Sequence, residues 1–102
     1  MKIEQKINQI IDVLNDVSEH EWNELFLRYL SKLKNPNINR DIIVKDLLKI
    51  FGGMGSFNDL VLYKDGQLCF DQNVKLNLLR KDLFNILIQI RSSNNNEERE
   101  KT

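Results

Sequence analysis

One cysteine, one proline and one histidine are all that 102 residues contain of each, and neither sign of charge is in surplus. Each scarcity removes a class of answer. With Cys69 alone, no intrachain disulfide is possible, and nothing argues for an oxidising compartment. A lone histidine and a lone cysteine far apart do not make a transition-metal site, and the carboxylates lack the spacing of a calcium loop. Fifteen Lys and Arg balance fifteen Asp and Glu, so the chain exerts no long-range attraction on nucleic acid or anionic lipid. No apolar run approaches the roughly 20 residues needed to span a membrane. The opening MKIEQKINQI alternates charge with isolated apolar positions, unlike the apolar core of a secretory signal. The expectation is a soluble cytoplasmic protein without cofactor or metal, and without a nucleic-acid or membrane partner.

What is present is a helical pattern. Apolar residues make up 41% of the chain, and a chain of this length buries about two-thirds of its unfolded surface as one domain. Ile3, Ile7, Ile10, Ile11 and Leu14 recur at three and four, the stripe of an amphipathic first helix whose other face carries Lys2, Glu4, Gln5, Asn8 and Asp12. Ser18 and Glu21 have the spacing of a capping box for a second helix, with Val17 and Trp22 as its hydrophobic staple. Trp22, Leu25, Phe26, Tyr29, Leu30 and Leu33 then form a wide apolar face expected at the centre of the core. KNPN stops this helix at Pro36. Asn39 caps a third helix, in which Ile43, Val44, Leu47, Leu48 and Phe51 share a face.

Three of the four glycines fall in IFGGMGSFNDLVL, residues 50–62. Gly52 or Gly53 is expected to close the third helix with a positive φ. DLVLYKDGQLCF reads as two short strands joined by a tight turn at Asp65-Gly66, and so small a hairpin must lie against helices. A last helix starts from Asp71 or Asn73, with Leu76, Leu79, Leu83, Leu87 and Ile90 on one line and Phe84, Ile86 and Ile88 widening it. Its breadth, with Leu78, Ile86 and Ile88 off the main line, predicts a weak homodimer. SSNNNEEREKT contains no apolar residue and reads as a mobile tail. The fold class is mainly α: about four helices with one hairpin, at about residues 60–70, inserted before the last. The organisation is a helical domain over residues 1–92 and a polar tail over 93–102.

Few residues here suggest chemistry. His20 stands beside Glu19 and Glu21 with no nucleophile spaced near it, and reads as a solvated helix-start residue rather than a general base. Cys69, between Leu68 and Phe70, reads as a small buried hydrophobe. The glycine loop invites an anion-binding reading, since freed amides can form a concavity for phosphate. It lacks, however, the lysine and following hydroxyl of a P-loop, and a strand follows it where a helix is required. Gly52, Gly53, Met54, Gly55, Ser56, Phe57, Asn58 and Asp59 read first as a sharp turn held by its own side chains, then as a presented recognition surface, and least as an anion or ligand cradle.

FGGMGSFNDLVL resembles the signature of an uncharacterised family of small bacterial proteins, in which a helical N-terminal half precedes a GGMGSFNDL-type loop and a short hairpin. The resemblance rests on Gly52 through Leu60, with Trp22 as a weaker match. It implies a protein without established enzymatic activity, similar in size and style to immunity proteins that neutralise toxins in bacterial competition. The expected function is therefore non-enzymatic protein binding, with a cognate toxin as the most concrete partner. A small self-associating structural or regulatory module is the alternative.

Overall fold

A computed structural model describes residues 2–52 and 55–100, with side chains for 3–52 and 55–93. Helices α1 (Lys2–Asp16), α2 (Glu21–Lys34) and α3 (Arg40–Lys49) are followed by a short 3-10 turn, Phe57–Asp59. Strands β1 (Tyr63–Lys64) and β2 (Gln67–Leu68) then form an antiparallel hairpin, and helix α4 (Phe70–Glu100) ends the described chain. The expected four helices and inserted hairpin are thus present. Helix α1 packs against α4 and α2, and α3 packs against α4 and α2.

Periodicity explains the core. The α1 stripe is buried as expected and is joined by Val13 and Val17, while Leu76, Leu83 and Leu87 of α4 are wholly enclosed. Phe26 sits at the centre, as its spacing implied, whereas Trp22, Leu25 and Tyr29 are only half-buried. Polar ties fix the outer edges: Arg40 bonds the Glu4 carboxylate, joining α3 to α1, and Lys6 lies 3.3 Å from Asp82, joining α1 to α4.

The capping box at Ser18 does not form. Ser18 adopts φ 57°, its N–H bonds the Asn15 carbonyl, and the Glu19 N–H bonds the Leu14 carbonyl at 3.0 Å. These are the two bonds of a Schellman closure of α1. A residue held left-handed to end one helix cannot also take the extended conformation that capping the next one requires. The task passes to Glu19, whose carboxylate accepts the Trp22 N–H at 3.1 Å. The cap at Asn39 does form, its side chain accepting the Asp41 N–H at 2.8 Å.

Helix α4 begins at Phe70, just before the expected start, with the Asn73 N–H bonded to the Cys69 carbonyl at 2.9 Å. The polar segment from residue 93, expected to be a mobile tail, carries the helix on to Glu100, and it contains neither glycine nor proline to stop it. Lys101 and Thr102 lie outside the described residues.

Candidate functional site: the glycine loop and the hairpin face

Between α3 and α4 the chain must satisfy the orphan carbonyls of a helix end, turn, and enter a strand. It closes that account without a left-handed residue at Gly52. The N–H groups of Ile50, Phe51 and Gly52 bond back to the carbonyls of Leu47, Leu48 and Lys49. The Phe57 N–H takes the Ile50 carbonyl at 2.8 Å, and the Asn58 side-chain amide takes that of Phe51 at 2.6 Å. Five consecutive carbonyls are thereby paired, which is why the expected left-handed closure is not needed at Gly52. Gly53 and Met54, also named as loop residues, lie outside the described residues. Among the described residues of the loop, the left-handed glycine is Gly55, at φ 72°. A Cβ there would meet no atom within 4 Å, so the glycine is required by backbone conformation and not by space.

The Gly55 N–H donates to the Asp59 carboxylate at 2.9 Å. The amide that a free anion would seek already holds the chain's own. Phe57 drops from the 3-10 turn into full burial, with ring centroids 4.8 Å from Phe26, 5.2 Å from Trp22 and 5.6 Å from Phe51. Beneath it, Arg80 of α4 donates to the carbonyls of Phe57 and Leu60 at 2.8 and 2.9 Å and lies 5.9 Å from the Phe57 ring centroid. Burial lowers the Arg80 pKa, and the nearby Asp59 carboxylate pulls it back up. Arg80 also bonds the Asn77 side chain one turn away, but periodicity could not single it out, because the backbone carbonyls it holds lie twenty or more residues away.

The hairpin is built differently. Asp65 and Gly66 both have positive φ, 54° and 78°, the type I′ pair their identities implied. Tyr63 pairs with Leu68 and Lys64 with Gln67. Contrary to expectation, the strands do not lie flat against helices, for all four strand residues are exposed. The attachment is Leu62, which is fully buried, and a clamp from Asn73. The Asn73 side chain accepts the Leu62 N–H at 2.8 Å and donates to the carbonyls of Leu62 and Cys69 at 3.0 and 2.8 Å. The Leu62 carbonyl also accepts the Cys69 N–H at 3.0 Å across the hairpin, so the asparagine supplies the partner that pairing leaves out, the acceptor for the Leu62 N–H. Asn73 was legible only as a possible helix start.

Beside this clamp the surface is apolar. A groove of about 250 Å³ runs between hairpin and helix, with Val61, Leu68, Phe70 and Val74 among its apolar walls and Asn73, Asn77 and Arg80 as its polar ones. Phe70 is 70% exposed and Leu78, two turns further along α4, 61%. His20 is exposed at the start of α2 without a side-chain capping bond, and Cys69 is half-buried with its sulfur 3.9 Å from the Gln67 carbonyl oxygen. Among the described residues, no group of three or more His, Cys, Asp or Glu side chains is placed to hold a metal, and no helix is long and apolar enough to cross a membrane.

A family model described as a domain of unknown function (DUF6966) matches residues 15–69, and the chain belongs to that family. The matched segment takes in α2, α3, the glycine loop and the hairpin. No curated protein and no solved structure matches the chain.

Proposed function

We propose that this chain is a non-enzymatic protein-binding domain whose binding face is the groove and apolar surface between the hairpin and the first turns of α4. One observation carries the proposal: Val61, Leu68, Phe70 and Val74 leave large apolar area in water around a backbone that is firmly clamped from below. Contiguous apolar surface of this kind on a small domain marks an interaction site more often than it marks chance. The glycine loop supplies the rigid support. Its Asn58 and Asp59 side chains are engaged with the chain's own backbone, so recognition falls to the neighbouring surface.

The most concrete form of this reading is an immunity-type protein acting in the bacterial cytoplasm, which occupies the surface of a toxin and blocks it stoichiometrically. The GGMGSFNDL resemblance supports it, as does a scaffold that offers a fixed shape and no chemistry. The test is capture from the native host with the parent chain and with Phe70→Asp as bait. Loss of one and the same specific partner with Phe70→Asp, at unchanged melting temperature, supports the face. Rescue by the parent chain of cells expressing a toxin encoded beside it supports the immunity form. A partner retained by Phe70→Asp and by Val61→Asp places binding elsewhere and overturns the assignment.

A further inference from the structure

The groove beside the hairpin is apolar at one end and cationic at the other. Phe70, Val74, Asn77 and Arg80 follow one another along α4 at steps of four and three residues, so about 15 Å of helix separates the exposed ring from the guanidinium. Among the described residues that bound the groove, Arg80 alone carries a charge. We propose that the groove receives the carboxyl-terminal end of a partner polypeptide, with apolar last residues against Val61, Leu68, Phe70 and Val74 and the terminal carboxylate on Arg80. The inference rests on the protein-binding reading and names the chemistry of the partner for that face.

Donor capacity is the first argument. A guanidinium has five N–H donors. Nη1 of Arg80 serves the Phe57 and Leu60 carbonyls, and Nη2 serves the Asn77 side-chain oxygen. Its Nε–H has no partner among the described residues and reaches solvent, whereas the unpartnered Nε of Arg40 is sealed from it. Nε and Nη2 share the side edge of the guanidinium, where a carboxylate can take two bonds at once. The Asn77 amide nitrogen, exposed and unpartnered among the described residues, adds a donor beside them.

Charge is the second. Among the described residues no carboxylate forms an ion pair with Arg80. Asp59 offsets part of its charge from a distance while holding the Gly55 N–H. The other charges of this region are turned elsewhere: Lys64 bonds the Asp16 carbonyl, Asp82 pairs with Lys6, and Lys75 lies with Asp12 on the α1 side of α4. Exposed Asp65 and Asp71 stand at the hairpin end, and exposed Lys81 follows Arg80. An anion is therefore repelled at the apolar end and drawn to the cationic one, which sets the direction of the ligand.

Size selects a chain end. The groove's volume, about 250 Å³, is below the roughly 300 to 1,000 Å³ of pockets that enclose a whole small ligand, and Phe70 stays 70% exposed. Its occupant is the tip of something held elsewhere. An extended end of four or so residues, at about 3.3 Å each, covers the span from Phe70 to Arg80 and puts alternate side chains on the apolar wall. A terminus sets its anion at the end of an apolar run, as this groove requires. An internal Asp or Glu sets it at the side of a continuing chain.

Titrating the isotope-labelled full chain with acetyl-Leu-Ser-Val-Leu as free acid, followed by NMR to about 10 mM to reach the weak affinity of so small a fragment, tests the seat. The Arg80 Nε–H and Asn77 side-chain amide signals are expected to shift and saturate, and the C-terminal amide of the same peptide to bind at least about tenfold more weakly. Because Arg80 also holds the fold, the variant is Asn77→Asp. Position 77 is exposed and already bonded to Arg80, so the new carboxylate occupies the guanidinium from within the chain. This variant should melt at or above the parent temperature and lose the response to the free acid. An unchanged response in Asn77→Asp, equal binding of acid and amide, or no saturable shift with any probe overturns the inference. Octanoate or the amide of acetyl-Leu-Asp-Val-Leu binding as tightly as the free acid also overturns it, and assigns the groove to a free organic acid or to an internal acidic residue. Capture separates this inference from the reading beneath it. A partner lost with Phe70→Asp yet kept by Asn77→Asp leaves protein binding standing and removes the terminal carboxylate, whereas capture untouched by both variants removes both.

Discussion

The loop and the hairpin are neighbours between α3 and α4, each turned by a left-handed glycine, and they do opposite things with their side chains. The loop sends its largest described side chain, Phe57, wholly inward and ties its polar groups to its own backbone and to Arg80. The hairpin turns Tyr63 and Leu68 to water and is held by the buried Leu62, the Asn73 clamp and the Lys64 ammonium, which donates to the Asp16 carbonyl of α1 at 3.3 Å. Among the described residues, conformational freedom in the chain therefore does not coincide with the exposed apolar surface. The glycine-rich stretch serves as an anchor, and the plainer stretch after it carries the exposed apolar side chains. A loop with this much backbone freedom needs many local bonds to offset the entropy of holding one shape, and those bonds use up the groups that recognition would need.

The comparison breaks first at Phe57. Replacing it with Ala removes a ring that contacts Trp22, Phe26 and Phe51 and leaves the Arg80 guanidinium over a void. The expected loss is about 3 to 5 kcal/mol, a large share of the stability of a domain this size. Thermal melting should fall by more than about 10 °C. A variant that melts within a degree or two of the parent would show that the loop is not an anchor.

The hairpin clamp is next. Asn73→Ala removes three hydrogen bonds at a part-buried site and leaves the Leu62 N–H without its acceptor, an expected loss of about 1 to 3 kcal/mol. Hydrogen exchange sharpens the result: the Leu62 amide should lose protection by more than the global destabilisation accounts for, because the hairpin opens before the helices do. Asn73→Asp keeps the acceptor but not the donors, and should fall between Ala and the parent.

Much of this was legible, and the failures share a cause. Residues whose partners lie within a few positions were read correctly: Asn39 as a cap, Asp65-Gly66 as a tight turn, and the three-and-four spacing of Ile7, Leu14 and Leu83 as buried lines. Ser18 failed because two local signals competed for one residue, and the end of α1 took it. The left-handed closure expected at Gly52 or Gly53 does not fall on Gly52, where Phe57 and Asn58 return from beyond the turn to satisfy the helix end, a contact that no local pattern records, and Gly53 lies outside the described residues. Asn73 and Arg80 were missed for the same reason. Each bonds backbone groups eleven to twenty-three residues away, where identity and spacing leave no periodic trace. The exposed line of Phe70, Val74 and Leu78 was partly visible. The breadth of the α4 pattern implied surplus apolar surface, but it placed that surface at Leu78, Ile86 and Ile88, and the last two are half-buried.

Within the loop, Asp59 offers a finer test. If its carboxylate serves only to hold Gly55, then Asp59→Ala should lower stability by about 0.5 to 1.5 kcal/mol, the usual worth of one hydrogen bond, and leave partner capture unchanged. Unchanged melting together with loss of a captured partner would reassign Asp59 to recognition and blur the line between the two regions.

The smallest expected effect lies on the hairpin surface, and it carries the comparison's other half. Tyr63 is 59% exposed and Leu68 54%, paired across the strands with no packing layer over them. Substituting either with Ser should change stability by no more than about 0.5 kcal/mol, since little area returns to water that was not already there. The native contacts of these side chains do too little for the fold to explain two large apolar groups at those positions. If Leu68→Ser is neutral in melting yet lowers association or capture, the apolar character of the hairpin belongs to binding and not to folding. If it destabilises by more than about 1.5 kcal/mol, beyond what one exposed cross-strand pair contributes, then Leu68 is covered in the protein as it exists in solution. The cover would itself be an interface, and dilution of the sample should then reproduce the loss.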